Sequence, residues 1–163
     1  MGWWTAKVRR FGRYFFGRVS SAERASLGGW LTPSQLTLFD SMHRADQRHG
    51  LDVVAALRAD GQTNSDLLLA GLLHDCGKGR RLHVWHRIGW SLSERYGRRL
   101  ERLFLRLPGY RQGFDVIAAH AARSAELAID AGCSVVTADL IRNQAEPVDH
   151  VLGQALLIAD QAN

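Results

Sequence analysis

Apolar positions recur at intervals of three and four along most of this chain, the period of an amphipathic helix and not the alternation of a strand. β-branched residues are scattered, and no turn dipeptide separates two alternating runs, so hairpins are not predicted. Thr32-Pro33-Ser34-Gln35 reads as a helix start, with Thr32 as N-cap, Pro33 in the first helical position and Gln35 three residues on. The periodicity then runs to about Asp60, with a bend expected near Gly50. Asn64-Ser65 opens the next helix, which should end near Gly77–Gly79. Further helices are predicted over about 82–96 and 98–107, up to the break at Leu107-Pro108-Gly109. A long helix is expected over about 113–131, Ser134 caps another to about 145, and Pro147 opens the last. The sum is an all-α domain over 32–163, a bundle of about seven helices.

A separate pattern precedes it. Val8, Phe11, Phe15 and Val19 fall on one helical stripe with Trp4 a turn earlier, while Arg9, Arg10 and Arg13 lie away from it. Charge sharpens this division. The 163 residues carry a net charge of +5, yet residues 1–24 hold six basic residues against Glu23 alone, which leaves fifteen basic and fifteen acidic residues for the rest. The basicity therefore belongs to an N-terminal segment, residues 1–28, and not to the domain. Two uses are open for its helix. It docks an aromatic face on the domain, or residues 4–19 lie on an anionic membrane surface. Nucleic-acid binding is not expected, because the charge is confined to one short helix with no accompanying motif.

Composition adds limits. Apolar content of 46% and charged content of 23% are ordinary for a globular protein, and no apolar run approaches the ~20 residues of a membrane span. Cys76 and Cys133 stand far apart without a CxxC partner, which suits a reducing cytosol and excludes a cysteine-only zinc site. A cytoplasmic protein is expected, with peripheral contact at the inner membrane surface if the first helix serves that use.

The candidate chemistry lies in polar residues on apolar faces. In LLLAGLLHDCGK, residues 67–78, a run of leucines ends in an adjacent His74-Asp75 pair. In ALLIADQAN, residues 155–163, Asp160 follows Leu156 and Leu157 by one turn, which puts a carboxylate toward a core unless it reaches water near the last helical turn. His49 shares a stripe with Met42, Val53 and Ala56, whereas His43 points away from it. A lone inward histidine is as a rule a hydrogen-bonded core residue. Together, however, His49, His74, Asp75 and Asp160 supply two imidazoles and two carboxylates, which would hold a divalent cation at no net charge. Mixed N and O ligation suits Mn, Fe, Co, Ni or Zn better than Ca. Four such ligands leave positions for water and substrate, as a catalytic site requires.

QRHGLDVV, LLAGLLHDCGKG and ALLIADQAN, in that order, resemble the H…HD…D pattern of the HD superfamily of metal-dependent phosphohydrolases, over about residues 36–163. The resemblance implies a helical HD-domain bundle, the four ligands His49, His74, Asp75 and Asp160, and hydrolysis of a phosphoester or phosphoanhydride of a small molecule, a nucleotide by expectation. A finer likeness links HAARSAELAIDAGCS and the following LIRNQAEP, residues 120–134 and 140–147, to family members with two metals. His120 matches their first histidine, but Gln144 and Ala145 stand where a His-His pair is expected, so one metal is predicted and not two. The GYP motif of the cyclic-dinucleotide group is absent.

Under this reading Asp75 and Lys78 carry catalytic weight, with Lys78 placing a positive charge on phosphate; its plainer role is a solvated cation at a helix end. Arg44, His120 and Gln144 are candidates for contact with substrate or for proton transfer. His83, His86 and His150 are expected on the surface. The alternative function is a metal-bound or degenerate HD module with a regulatory role and no turnover, favoured by Gln144-Ala145 and by an Asp160 expected to fray. The sequence leaves oligomeric state open.

Overall fold

The computed structural model describes residues 17–163 apart from 81 and 83. The helix expected over 6–19, and with it the membrane question for residues 4–19, lies almost wholly outside the described residues; residues 17–19 are not helical. No helix among the described residues is long and apolar enough to cross a membrane.

Nine α-helices and no strand are found among the described residues. They are α1 (Ser21–Leu27), α2 (Pro33–Ser41), α3 (Arg44–Ala59), α4 (Ser65–Leu73), α5 (Val84–Tyr96), α6 (Arg98–Phe104), α7 (Tyr110–Asp130), α8 (Val135–Arg142) and α9 (Leu152–Ala162), with a 3-10 turn at Cys76–Lys78. An additional short helix, α1, lies before the domain, its capping box formed by Ser20 and Glu23.

The expected continuous helix from Pro33 to Asp60 is two helices, and the break falls at Met42–His43, not at Gly50. Ser41 Oγ donates to Leu38 O at 2.6 Å and Gln47 Nε2 donates to Phe39 O at 2.9 Å, so the last carbonyls of α2 are satisfied without another turn. Met42 then turns extended and buries its side chain, and the His43 ring caps α3 by accepting from the Ala45 N–H. Gly50 has a different task. A Cβ there would stand 2.4 Å from Leu72 O, so glycine lets α3 and α4 touch backbone to backbone.

The caps read from Thr32, Asn64 and Ser134 are all present. The last helix starts five residues beyond Pro147, because Asp149 Oδ1 accepts from the N–H groups of both Val151 and Leu152 and sets the first turn there.

Helix α4 is the axis of the fold. Leu67, Leu68, Ala70, Gly71, Leu72 and Leu73 are all buried, which a helix can tolerate only when neighbours surround it. Those neighbours are α3, α8 and α9, while the turn after α4 packs on α7. Phe39, Leu57, Ile141 and Leu156 close the core around it. Each such side chain adds about 1.5–3 kcal/mol by leaving water, so the end of α4 is held firmly where His74 emerges.

Candidate metal centre

His74 is the residue that ends α4: its backbone N–H donates to Ala70 O at 2.9 Å, and the chain leaves the helix just after it. The ring is 2% exposed. Its Nδ1 lies 3.0 Å from Gly71 O, a carbonyl that can only accept, so Nδ1 donates there and Nε2 is the nitrogen turned inward. Nε2 lies 3.7 Å from Asp160 Oδ1 and 3.6 Å from Asp75 Oδ1.

Helix α3 brings His49 and helix α9 brings Asp160 to the same place. His49 Nε2–H donates to Asp160 Oδ1 at 2.8 Å, and the His49 and His74 rings meet edge to face with centroids 5.1 Å apart. One ligand atom from each of His49, His74 and Asp160 falls within 4.8 Å of the other two, a set that could hold a metal ion. The chemistry fits: both imidazoles turn Nε2 toward the set, and each would bind a metal through that nitrogen without a proton on it. Asp160 does not dangle; the Asn163 N–H donates to its carbonyl and Asn163 Nδ2 donates to Ala159 O, which closes the final turn.

Asp75 stands at the edge of this set. Its Oδ2 takes the Lys78 ammonium at 2.5 Å, and its Oδ1 lies 3.6 Å from both His74 Nε2 and His120 Nε2. Burial alone would raise its pKa, but Lys78, then His74, His49 and His120, hold it well below the usual carboxylate range. Asp160 behaves alike: burial opposes ionisation, yet the His49 hydrogen bond and the nearby imidazoles bring its pKa down to about 2. Both carboxylates are therefore ionised at neutral pH, as ligation requires. The pKa of His120 is lowered too, first by burial and then by Lys78, which for an imidazole favours the neutral ring.

His120 belongs to α7, with Nδ1 2.5 Å from Ile117 O and Nε2 turned to Asp75. Gln144 follows α8, and its Nε2 lies 3.4 Å from both the His74 backbone carbonyl and His120 Nε2, so it links the end of α4 to the His120 ring where the resemblance expects a histidine. The turn carrying Lys78 is fixed by Ser124, whose Oγ accepts from the buried Gly77 N–H at 2.8 Å. Cys76 is buried beside it with its thiol pushed up to about 12 by burial, which makes it a core side chain and not a ligand.

These groups open on a cavity of about 420 Å³. His49, Asp75, Lys78, His120, Gln144 and Asp160 all line it. Arg44 does not: it is exposed at the first turn of α3 and outside the lining. A second cation on its lining is Arg87 of α5, whose two Nη atoms fork onto Asp46 Oδ1 and Oδ2 at 2.7 Å each. Neither residue stands out in the sequence, although Asp46, three residues before His49, shares its helical face. Of the three histidines expected on the surface, His150 is exposed, His83 lies outside the described residues, and His86 is half-buried against Gly113 and the Tyr110 ring. Gly113, which has no side chain, leaves room for that ring.

No protein-family model matches the chain, and neither a curated protein nor a solved structure is significantly similar to it.

Proposed function

We propose that this chain is a metal-dependent phosphohydrolase of the HD kind, acting on a phosphoester or phosphoanhydride of a small molecule, a nucleotide by class. The observation that carries the reading is the meeting of His49, His74 and Asp160, from three separate helices, at a cavity that Asp75, Lys78 and His120 also line. Bringing ionisable side chains together where His74 is buried and His49 and Asp160 are half-buried is costly, and such clusters concentrate at functional sites.

His49, His74, Asp75 and Asp160 would hold one divalent transition metal, Mn, Fe, Co, Ni or Zn. When bound, it supplies Lewis acidity that lowers the pKa of a water and polarises a phosphoryl oxygen. The chain's own residues do the rest. The Gly71 carbonyl keeps His74 in the tautomer that ligates through Nε2. Lys78 holds Asp75 ionised and in place, and adds positive charge where a phosphate would dock. His120 is neutral, next to Asp75, and can take or return a proton through Nε2. Gln144 orients that ring from the side of the cavity. The wild-type cavity is large enough for a small-molecule ligand.

The test has two parts. Purified protein should carry a transition metal by elemental analysis, and a panel of nucleoside phosphates and generic phosphoesters with Mn or Co should reveal turnover. Protein that binds no metal, before or after reloading, defeats the reading. Metal retained without turnover on any phosphoester points instead to a metal-bound regulatory module.

A further inference from the structure

We infer that the cavity face of α5, with Arg87 held by Asp46 and Ser91 one turn on, is the wall that binds a phosphate oxyanion of the substrate. The inference rests on the phosphohydrolase reading and adds the residues that make the cavity receptive to an anion.

Asp46 is 2% exposed and stands three residues before His49 on α3, so the two share one face of the helix, about 5–6 Å apart. The Arg87 fork on Asp46 therefore places a guanidinium close to a metal-ligating imidazole. Both members line the cavity, and Arg87 is the more exposed, its side chain at 19% against 3% for Asp46. A buried ion pair is a poor device for joining helices, because a well-packed apolar pair does as well or better. Between α3 and α5 this one is kept on a cavity wall.

Charge is compatible with this role. The Arg87–Asp46 pair is neutral as a unit, and a divalent cation with Lys78 would outweigh Asp75 and Asp160 by one charge, so the loaded site would be net positive, as an anionic substrate needs. Arg87 adds a fixed cation on its wall. Glu94, exposed at the rim, is screened by water and changes this little. The fork on Asp46 fixes the plane of the guanidinium, the condition for directional contact with phosphate oxygens.

Ser91 is an independent sign. It follows Arg87 by four residues, on the same face of α5, and lines the same cavity. It is 8% exposed and its Oγ has no hydrogen-bond partner. A buried hydroxyl without a partner is rare in a folded chain, and a bound oxyanion would supply one.

The experiment uses the full chain loaded with cobalt(II), with bound cobalt counted by elemental analysis and inorganic phosphate titrated calorimetrically. Arg87→Lys keeps the charge and loses the fork. The double variant Asp46→Asn/Arg87→Gln removes both charges and leaves no carboxylate stranded. Both should retain cobalt and bind phosphate about tenfold more weakly or worse, and Ser91→Ala should weaken it by a smaller factor. If the double variant fails to fold, Arg87→Lys and Ser91→Ala decide the matter. Unchanged phosphate affinity in variants that keep cobalt overturns the inference, as does wild-type protein that takes up cobalt and binds no phosphate. Failure to take up cobalt at all overturns the phosphohydrolase reading beneath it.

Discussion

His49, His74 and Asp160 stand on α3, α4 and α9, helices that bury Val53, Leu72 and Leu156 against one another with 2% exposure or less. Helix α5, which also lines the cavity, leaves Trp85 65% and Tyr96 58% exposed, and meets α3 through the polar pair Arg87 and Asp46. One wall is set by close-packed apolar contact; the other joins α3 by a directional ion pair and α7 by ring contacts such as Trp90 on Phe114. Under the proposed reading, ligation, which tolerates little displacement, falls to the close-packed wall, and contact with an anionic substrate falls to the other.

The largest expected effect lies on the first wall. His74→Ala should abolish metal retention, read as metal per chain after purification and reloading; a variant that still binds stoichiometric metal would break the contrast. Leu72→Ala comes next. It removes a fully buried side chain and should cost about 2–5 kcal/mol by denaturant unfolding. Ser124→Ala strips the acceptor from the buried Gly77 N–H and should cost about 1–3 kcal/mol in the same assay.

A pH effect follows. In metal-free protein the Asp160 pKa is depressed to about 2, below an unfolded value near 4, so the bonus to stability is present above about pH 4 and is lost as pH falls toward 2. Asp160→Asn should be less sensitive to acid over that window; equal slopes in the two proteins would count against a preformed His49–Asp160 pair. The smallest effect belongs to the second wall. Trp85→Ala should change stability by no more than ~0.5 kcal/mol, and a larger loss would mean that α5 is packed as firmly as α4.

The helices were largely legible because their caps are local. Thr32, Asn64 and Ser134 each satisfy an N–H only three residues away, and three-residue chemistry can be read from a linear pattern. The break at Met42–His43 was not legible, because it depends on Gln47 reaching back to Phe39 and on Met42 finding a place in the core. The start of α9 was misjudged for a related reason: Pro147 is a familiar opening signal, but Asp149 holds the N–H groups.

In the site the same rule separates what could be read from what could not. His74-Asp75 stands out because a leucine run ends in two polar residues, and Asp160 because it follows two leucines by a turn. Arg87 lies 41 residues from Asp46 and Ser124 lies 47 from Gly77, and nothing local marks either partner. Arg44 looked eligible by position alone, and the turn of α3 leaves it in solvent.

By itself, then, the sequence determined that the chain is helical, where most helices begin, and that His49, His74 and Asp160 lie on inward faces, though not that Asp46 is buried or His86 half-buried, because periodicity and caps act over three or four residues. Only the tertiary structure decided that His49, His74 and Asp160 meet, that Lys78 serves Asp75, and that Arg87 rather than Arg44 faces the cavity. Those pairings depend on how helices far apart in sequence pack, and the packing is set by the summed burial of the whole core and not by any short stretch.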